Sequence, residues 1–169
     1  MNMVMRWQRT RRLCLSEVVF MREILFRAKA INRDKGYHRT NYKNGDWVYG
    51  LITRLYDERF ENLPAEMTDE NCVSGIEIDH NTICQFIGLV DKNGDKIWEN
   101  DIVRLDEDLY IVTWEEDDAM FALEDVGVVE HFSNVDSKWC EIIGNKFDEA
   151  TMYKFASYIE ENYKGGSIC

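Results

Sequence analysis

The 169-residue sequence has a single proline and no long uninterrupted hydrophobic run. Disordered segments are rich in proline and poor in aromatic residues, whereas this chain is 12% aromatic and 45% hydrophobic. We therefore expect a folded domain with a substantial core. A membrane-spanning helix needs ~20 consecutive apolar residues, and no stretch approaches that length. The composition predicts a protein with no membrane segment.

The chain also lacks the sequence patterns of common catalytic, cofactor and metal sites. Its cysteines are odd in number and show no CxxC spacing: Cys14, Cys72, Cys84, Cys140 and Cys169. That pattern favours reduced thiols over a disulfide framework. Walker loops, dinucleotide-binding glycine motifs, nucleophile elbows and the His-Glu-x-x-His zinc motif do not occur either. We predict no catalytic residue, no cofactor and no metal.

Positive charge is scarce, with 20 Lys and Arg against 32 Asp and Glu, a net charge of −12. Such a surface repels phosphate backbones, so nucleic-acid binding is not expected. Residues 1–20 differ, because four arginines and one glutamate give them a net charge of +3 and leave −15 on the remainder. We interpret residues 1–20 as a basic extension that is either poorly ordered or a wrongly assigned start.

Most of the chain after Met21 shows the period of two that is typical of strands. In residues 22–31, Ile24, Phe26, Ala28 and Ala30 alternate with Arg27 and Lys29, which indicates a half-buried strand. Residues 54–75 are predicted to be irregular. Short apolar segments then recur about every ten residues, which indicates an antiparallel sheet curling into a small barrel or sandwich.

The end of the chain changes to a helical period. Met152, Phe155, Ile159 and Tyr163 form one stripe, so we predict a helix packed on the sheet. Asp148 is its predicted cap, acting through its carboxylate, and Gly165 its predicted stop. The predicted division is residues 1–20, a β domain over 21–148, and the helix and tail over 149–169.

The stretch Asp91-Lys92-Asn93-Gly94-Asp95 places oxygen-bearing side chains at alternate positions, as calcium loops do. An EF-hand loop needs glycine at position 6 and glutamate at position 12, but this sequence has Lys96 and Ile102 there. Asn93-Gly94 between two apolar runs instead predicts a hairpin with a type I′ turn, in which both central residues have positive φ. A second turn is predicted at 99–101.

The block QFIGLVDKNGDKIWENDIV at 85–103 resembles the hallmark of the YopX family, small proteins encoded by bacteriophages and prophages. Three more segments, at 21–30, 47–52 and 141–148, resemble the family in the correct order. The sequence departs at Asn100, where glycine is usual, but asparagine also tolerates the left-handed conformation. The family-signature residues of this turn region are Gln85, Gly88, Asp91, Asn93, Gly94, Trp98, Glu99 and Asp101.

The resemblance implies a mainly β fold (β-rich α+β) with an SH3-like barrel, self-association, and no catalytic residues to transfer. We therefore predict a non-enzymatic phage or prophage accessory protein in the cytoplasm of the host bacterium. Its expected partners are further copies of itself and an unknown host or phage protein. Two alternatives stay open: an acidic DNA mimic that inhibits a DNA-binding protein, and a small nucleic-acid-binding barrel.

Two local clusters carry sharper hypotheses. The run Glu115-Glu116-Asp117-Asp118 is typical of a solvated hairpin loop and is our candidate interaction surface. His80 lies beside Asp79 and four residues before Cys84, the one local arrangement that suggests a hydrolytic enzyme. We expect Cys84 and Cys140 to be small buried residues instead.

Overall fold

The computed structural model describes residues 23–31, 42–55, 65–69, 71, 75–126, 128–133 and 136–163. The first six strands are β1 (Phe26–Lys29), β2 (Trp47–Arg54), β3 (Ala65–Thr68), β4 (Ile76–Ile78), β5 (Cys84–Val90) and β6 (Lys96–Trp98). They are followed by β7 (Asp101–Leu105), β8 (Asp108–Glu115), β9 (Met120–Asp125), β10 (Val128–His131), β11 (Glu141–Asn145) and the helix α1 (Glu149–Tyr163).

The strands form two antiparallel sheets. One has six strands in the order β4-β3-β2-β1-β5-β6, and the other has five in the order β10-β9-β8-β7-β11. Neighbouring strands are mostly neighbours along the chain because short turns join them, as the ten-residue spacing predicts. The mainly β class, the antiparallel pairing and the C-terminal helix are confirmed.

The first four strands curl around their own hydrophobic cluster. Ala30 forms a β-bridge with Ile78 at the far edge, and the Ile31 N–H donates to the Glu77 carbonyl at 2.9 Å. The enclosed side chains are buried apolar residues: Ala28, Ala30, Val48, Ala65, Met67, Ile76 and Ile78. This curling matches the expected bending of the sheet, but a closed SH3-like barrel is not confirmed.

The five-stranded sheet packs a second core against β5 and β6. Its buried residues are Ile87, Ile97, Val103, Val112, Leu123, Phe132 and Cys140. A third, smaller cluster consists of Cys84, Phe86 and Trp98, with Leu25, Trp47 and Phe147 packed against it. The segment from 84 to 103 therefore contributes to the second core and to this cluster. It also connects the two sheets, because β5 and β6 belong to one and β7 to the other.

Helix α1 begins close to β11, where Gly144 leaves room for the Thr151 side chain. Met152, Phe155 and Ile159 are half-buried, while Tyr163 is 43% exposed. Two tyrosine hydroxyls fasten the helix to the five-stranded sheet: Tyr158 donates to Asp108 Oδ1 at 2.7 Å, and Tyr163 donates to Asp125 Oδ2. Hydrogen bonding to Asp125 raises the pKa of Tyr163 to about 12.

Three sequence-based predictions about local structure are wrong. Residues 54–75 contain strand β3, which alternates buried Ala65 and Met67 with half-buried neighbours. The Asp148 carboxylate accepts a hydrogen bond from Lys29 Nζ at 3.0 Å, and among the described residues no backbone N–H of the first helical turn donates to it. Arg27, placed on the polar face of its strand, is buried.

Residues 1–20, Met21 and Gly165 lie outside the described residues, so the predicted extension and helix stop are not tested. Within the described ranges, no helix has the length and hydropathy needed to cross a bilayer.

Candidate functional site

A buried ion pair joins the two sheets. Arg27 of β1 donates through Nη2 to Asp101 Oδ1 at the start of β7. The two residues are 8% and 1% exposed. Asp101 also accepts from the Trp98 N–H at 2.8 Å and from Asn145 Nδ2 at 3.2 Å. Burial raises the pKa of Asp101, while the Arg27 charge and these hydrogen bonds act in the opposite direction.

Two tryptophans flank the buried guanidinium. Arg27 Cζ lies 4.6 Å from the ring centroid of Trp47 and 5.3 Å from that of Trp98. Tyr49 continues the aromatic row, with its ring centroid 5.5 Å from that of Trp98. Cation–π attraction is strongest for desolvated pairs such as these. We call Arg27, Trp47, Trp98, Asp101 and Asn145 the central joint; its burial makes it a structural element.

Cys84 borders the central joint and has the environment of a structural thiol. It is fully buried, its Sγ donates to the Thr82 carbonyl at 3.4 Å, and it accepts a 3.7 Å contact from Asn100 Nδ2. Burial raises its pKa, whereas a nucleophilic cysteine needs a lowered one. His80 is exposed, and no hydrogen bond links it to Cys84 in the described part of the chain. The structure does not bring this predicted pair together.

Asp91 organises the signature hairpin. Its Oδ1 accepts from the N–H groups of Asn93 at 2.8 Å and Asp95 at 3.0 Å. Its Oδ2 accepts from Asn93 Nδ2 at 3.1 Å and from the Ile142 N–H of β11 at 3.3 Å. Burial alone would raise the pKa of Asp91, but these hydrogen bonds outweigh it and lower the pKa. The carboxylate therefore closes the turn and attaches it to β11.

The hairpin is confirmed, but the predicted type I′ turn is wrong. The Gly94 N–H donates to the Asp91 carbonyl at 3.0 Å, and the Asp91 N–H donates to the Asp95 carbonyl at 2.9 Å. Gly94 has φ of 88°, whereas Asn93 is not among the positive-φ residues. This is the three-residue loop in which a type I turn precedes a left-handed glycine. The Asp91 carboxylate favours it because it binds the Asn93 and Asp95 N–H groups.

The second predicted turn is confirmed, and Asn100 takes the left-handed conformation with φ of 67°. Its N–H donates to the Val112 carbonyl at 2.7 Å. The Glu99 N–H donates to the Gln85 carbonyl at 2.9 Å, which ties this turn to β5. Gly88, with φ of 90°, lies where the pairing of β5 and β6 shifts register. The signature residues thus build turns and strand connections rather than a cleft.

The acidic run lies where it was predicted, at the hairpin between β8 and β9. Glu116, Asp117 and Asp118 are exposed, and Ala119 completes the turn with φ of 50°. Among the described residues, no group of three or more His, Cys, Asp and Glu side chains is placed to hold a metal ion. The run is thus exposed and available for contacts.

An open groove of about 730 Å³ lies on one face of the six-stranded sheet. Its lining includes Leu25, Tyr42, Tyr49, Leu51, Asp69 and Lys96. Because Tyr49 pairs with Arg27 across β1 and β2, the groove lies on the same sheet face as the central joint. One end of this face is covered by the joint, and the other end is open. We call the open end the sheet-face groove.

Strand β10 forms one edge of the five-stranded sheet, and no other strand of the described residues pairs with its outer side. It pairs with β9, and all four of its residues are exposed, including Val128 at 55% and Val129 at 45%. By contrast, the outer edge of β11 receives Asp91 and Lys92 of the signature hairpin. An exposed, apolar edge strand is a template for pairing with another chain.

Sequence reasoning missed the central joint and the groove. The partners of the joint are far apart along the chain, with Arg27 and Asp101 separated by 74 positions. The available signal was an arginine beside a strand face rich in tryptophan and tyrosine, together with an aspartate in the signature block. Neither feature specifies a pairing by itself.

Comparison with known proteins identifies a family. A family model described as YopX protein matches residues 26–152, which confirms the resemblance. No curated protein matches the chain. Among solved structures, the chain is similar to the crystal structure of protein EF1440 from Enterococcus faecalis. The two are 21% identical, with a TM-score of 0.44, and the match covers 73% of this chain and 93% of that chain.

Proposed function

The chain belongs to the YopX family, and from that premise we propose that it is a non-enzymatic phage or prophage accessory protein that acts through protein contacts and self-association. The observation that carries this proposal is the uncovered edge of β10, with exposed Val128 and Val129. The buried Cys84 thiol and the structural use of the signature residues support the non-enzymatic part. The proposed location is the host cytoplasm.

The β10 sequence is compatible with pairing to a second copy. Residues opposite each other in an antiparallel pair point to the same face of the sheet, and in one strand such residues are an even number of positions apart. A twofold axis between two identical strands must therefore pass through a residue that lies opposite itself. An axis at Val129 places Val129 opposite itself and Val128 opposite Glu130 of the second copy. An axis at Glu130 would oppose two glutamates, which is unfavourable. We propose the register centred on Val129.

Sedimentation velocity across a concentration series tests the proposal. Val129 faces Glu124 on β9, so Val129→Lys introduces an opposite charge beside Glu124 and should not impair folding. It should abolish the concentration-dependent rise in sedimentation coefficient that we expect of the parent chain. Val90→Glu is the matched control, because Val90 is 44% exposed and faces Lys96 on β6. A monomeric parent chain, or equal effects of both substitutions, would contradict the proposal.

The DNA-mimic alternative is favoured by one observation, the exposed acidic loop at 116–118 together with the net charge of −12. Competition against duplex DNA for a basic DNA-binding protein tests it. Replacing Glu116, Asp117 and Asp118 by Ser should abolish competition if the loop mimics phosphates. Unchanged competition after this replacement would rule the loop out.

A further inference from the structure

We propose that the sheet-face groove binds an arginine side chain presented by an extended segment of a partner protein. The inference deepens the proposed function by naming a partner chemistry, but it concerns a different face from β10. One proposal can therefore fail without the other.

The same sheet face already holds one arginine inside the fold. Arg27 lies over the rings of Trp47 and Trp98 and pairs with Asp101. Tyr49 packs on Trp98 and continues this aromatic row into the groove. The central joint therefore shows which side chain this face accommodates between its rings.

The groove repeats the same components around open space. Tyr42 and Tyr49 supply aromatic rings, and Leu25 and Leu51 supply an apolar floor. Asp69 supplies the carboxylate: its Oδ2 accepts from the Tyr42 hydroxyl at 2.6 Å and its Oδ1 from the Asn71 N–H at 2.9 Å. Arginine combines an apolar stem with a planar cation that stacks on aromatic faces and pairs with carboxylates.

The charges of the groove favour a cation. Lys96 Nζ is paired with Glu23 Oε2 at 2.7 Å, so these two opposite charges compensate each other. Asp69 has no cationic partner among the described residues, so the charged side chains of the described lining sum to a net negative charge. The chain as a whole carries −12, which adds long-range attraction for a basic segment.

The dimensions of the groove favour a peptide over an isolated small molecule. About 730 Å³ exceeds the volume of one arginine side chain, and Leu51 remains 55% exposed beside it. Apolar side chains two positions before and after the arginine point to the same side of an extended peptide and would cover this surface. Aromatic residues and arginines are also the side chains that contribute most to binding in protein interfaces.

Nuclear magnetic resonance titration of the ¹⁵N-labelled Val129→Lys chain tests the inference without self-association. The probe is acetyl-Leu-Ser-Arg-Ser-Leu-amide, in which both leucines lie on the same side as the arginine. Its isosteric control contains citrulline, which keeps the planar group and removes the charge. We expect saturable shifts at Tyr49, Leu51 and Asp69, and about tenfold weaker binding of the citrulline peptide. Asp69→Asn should weaken binding of the arginine peptide to a similar extent.

Asp118→Asn is the matched control, because it removes the same charge from an exposed position in the acidic loop. It should leave the affinity unchanged. Equal binding of the arginine and citrulline peptides, or shifts that map to the acidic loop, would overturn the proposal. Binding of free L-arginine as tight as that of the peptide would also overturn it, by identifying a small-molecule site.

Discussion

Replacing Asp91 by asparagine should lower the free energy of unfolding, because the buried carboxylate accepts four hydrogen bonds. Asparagine can keep its oxygen toward the N–H groups of Asn93 and Asp95. Its amide group then faces two donors, Asn93 Nδ2 and the Ile142 N–H, which lie 3.1 and 3.3 Å from Oδ2 in the parent chain. Both of these hydrogen bonds are lost.

The expected magnitude follows from those two bonds. A hydrogen bond to a charged group contributes roughly 1.5–3 kcal/mol, and the longer bond to Ile142 belongs at the lower end. Asp91 is 4% exposed, so water cannot replace the lost partners. We expect a loss of about 3–4.5 kcal/mol at pH 7, measured by urea unfolding.

Asp95→Asn is the control in the same loop. Asp95 is exposed, and within the described ranges its carboxylate accepts no hydrogen bond, so its replacement should change the stability by less than about 0.5 kcal/mol. Equal stabilities of the two variants would refute the role assigned to Asp91.

The pKa of Asp91 predicts a further difference. Because its folded-state pKa is lowered, the stabilisation is present above the unfolded value, about 3.9, and is lost as the pH falls through the folded value. The parent chain should therefore lose more stability on acidification than Asp91→Asn does. Parallel pH profiles for the two chains would contradict this sign.

Four other outcomes are expected. Arg27→Met should reduce the free energy of unfolding by roughly 3–5 kcal/mol, because it leaves Asp101 buried without its partner. The double variant that also carries Asp101→Asn should recover part of this loss, because the unpaired charge is removed. Gly94→Ala should lower the free energy of unfolding by about 1–2 kcal/mol, because φ is 88° and alanine is strained there. No atom lies near the added Cβ, so no steric clash adds to this backbone strain. Peptide mapping after iodoacetamide treatment at pH 8 should find Cys84 unmodified until the chain unfolds. Burial raises the pKa of Tyr158, so its hydrogen bond to Asp108 should persist below pH 10 and weaken as the pH rises through the folded pKa. The circular dichroism of the parent chain should then change at alkaline pH, and Tyr158→Phe should remove this change.

Local patterns predicted most of the strands, the positions of the turns and the helix because their causes are local. The period of two marks β2, β8 and β9. The left-handed positions of the two turns in the signature block are filled by Gly94 and Asn100, residues that adopt positive φ at low cost. The helical stripe from Met152 likewise reflects packing of one helix face. Each of these signals is contained within fewer than twenty residues.

Two of the errors have a different cause, which is competition from groups distant along the chain. Asp148 was expected to cap its own helix, but Lys29 of the first strand binds its carboxylate. Arg27 was expected to face solvent, but two tryptophans and Asp101 bury it. The wrong turn type at Asn93-Gly94 has a local cause. The Asp91 carboxylate binds the N–H groups of Asn93 and Asp95, and these hydrogen bonds determine the turn type. The groove arises from the curvature of a six-stranded sheet, which no local pattern encodes.

Hydrogen–deuterium exchange at low and high protein concentration tests most directly whether this chain works through its exposed sheet edge. We predict that the amides of Val128–His131 become protected as the concentration rises, while those of β11, already covered by the signature hairpin, do not change. Exchange of the β10 amides that is independent of concentration would contradict the account.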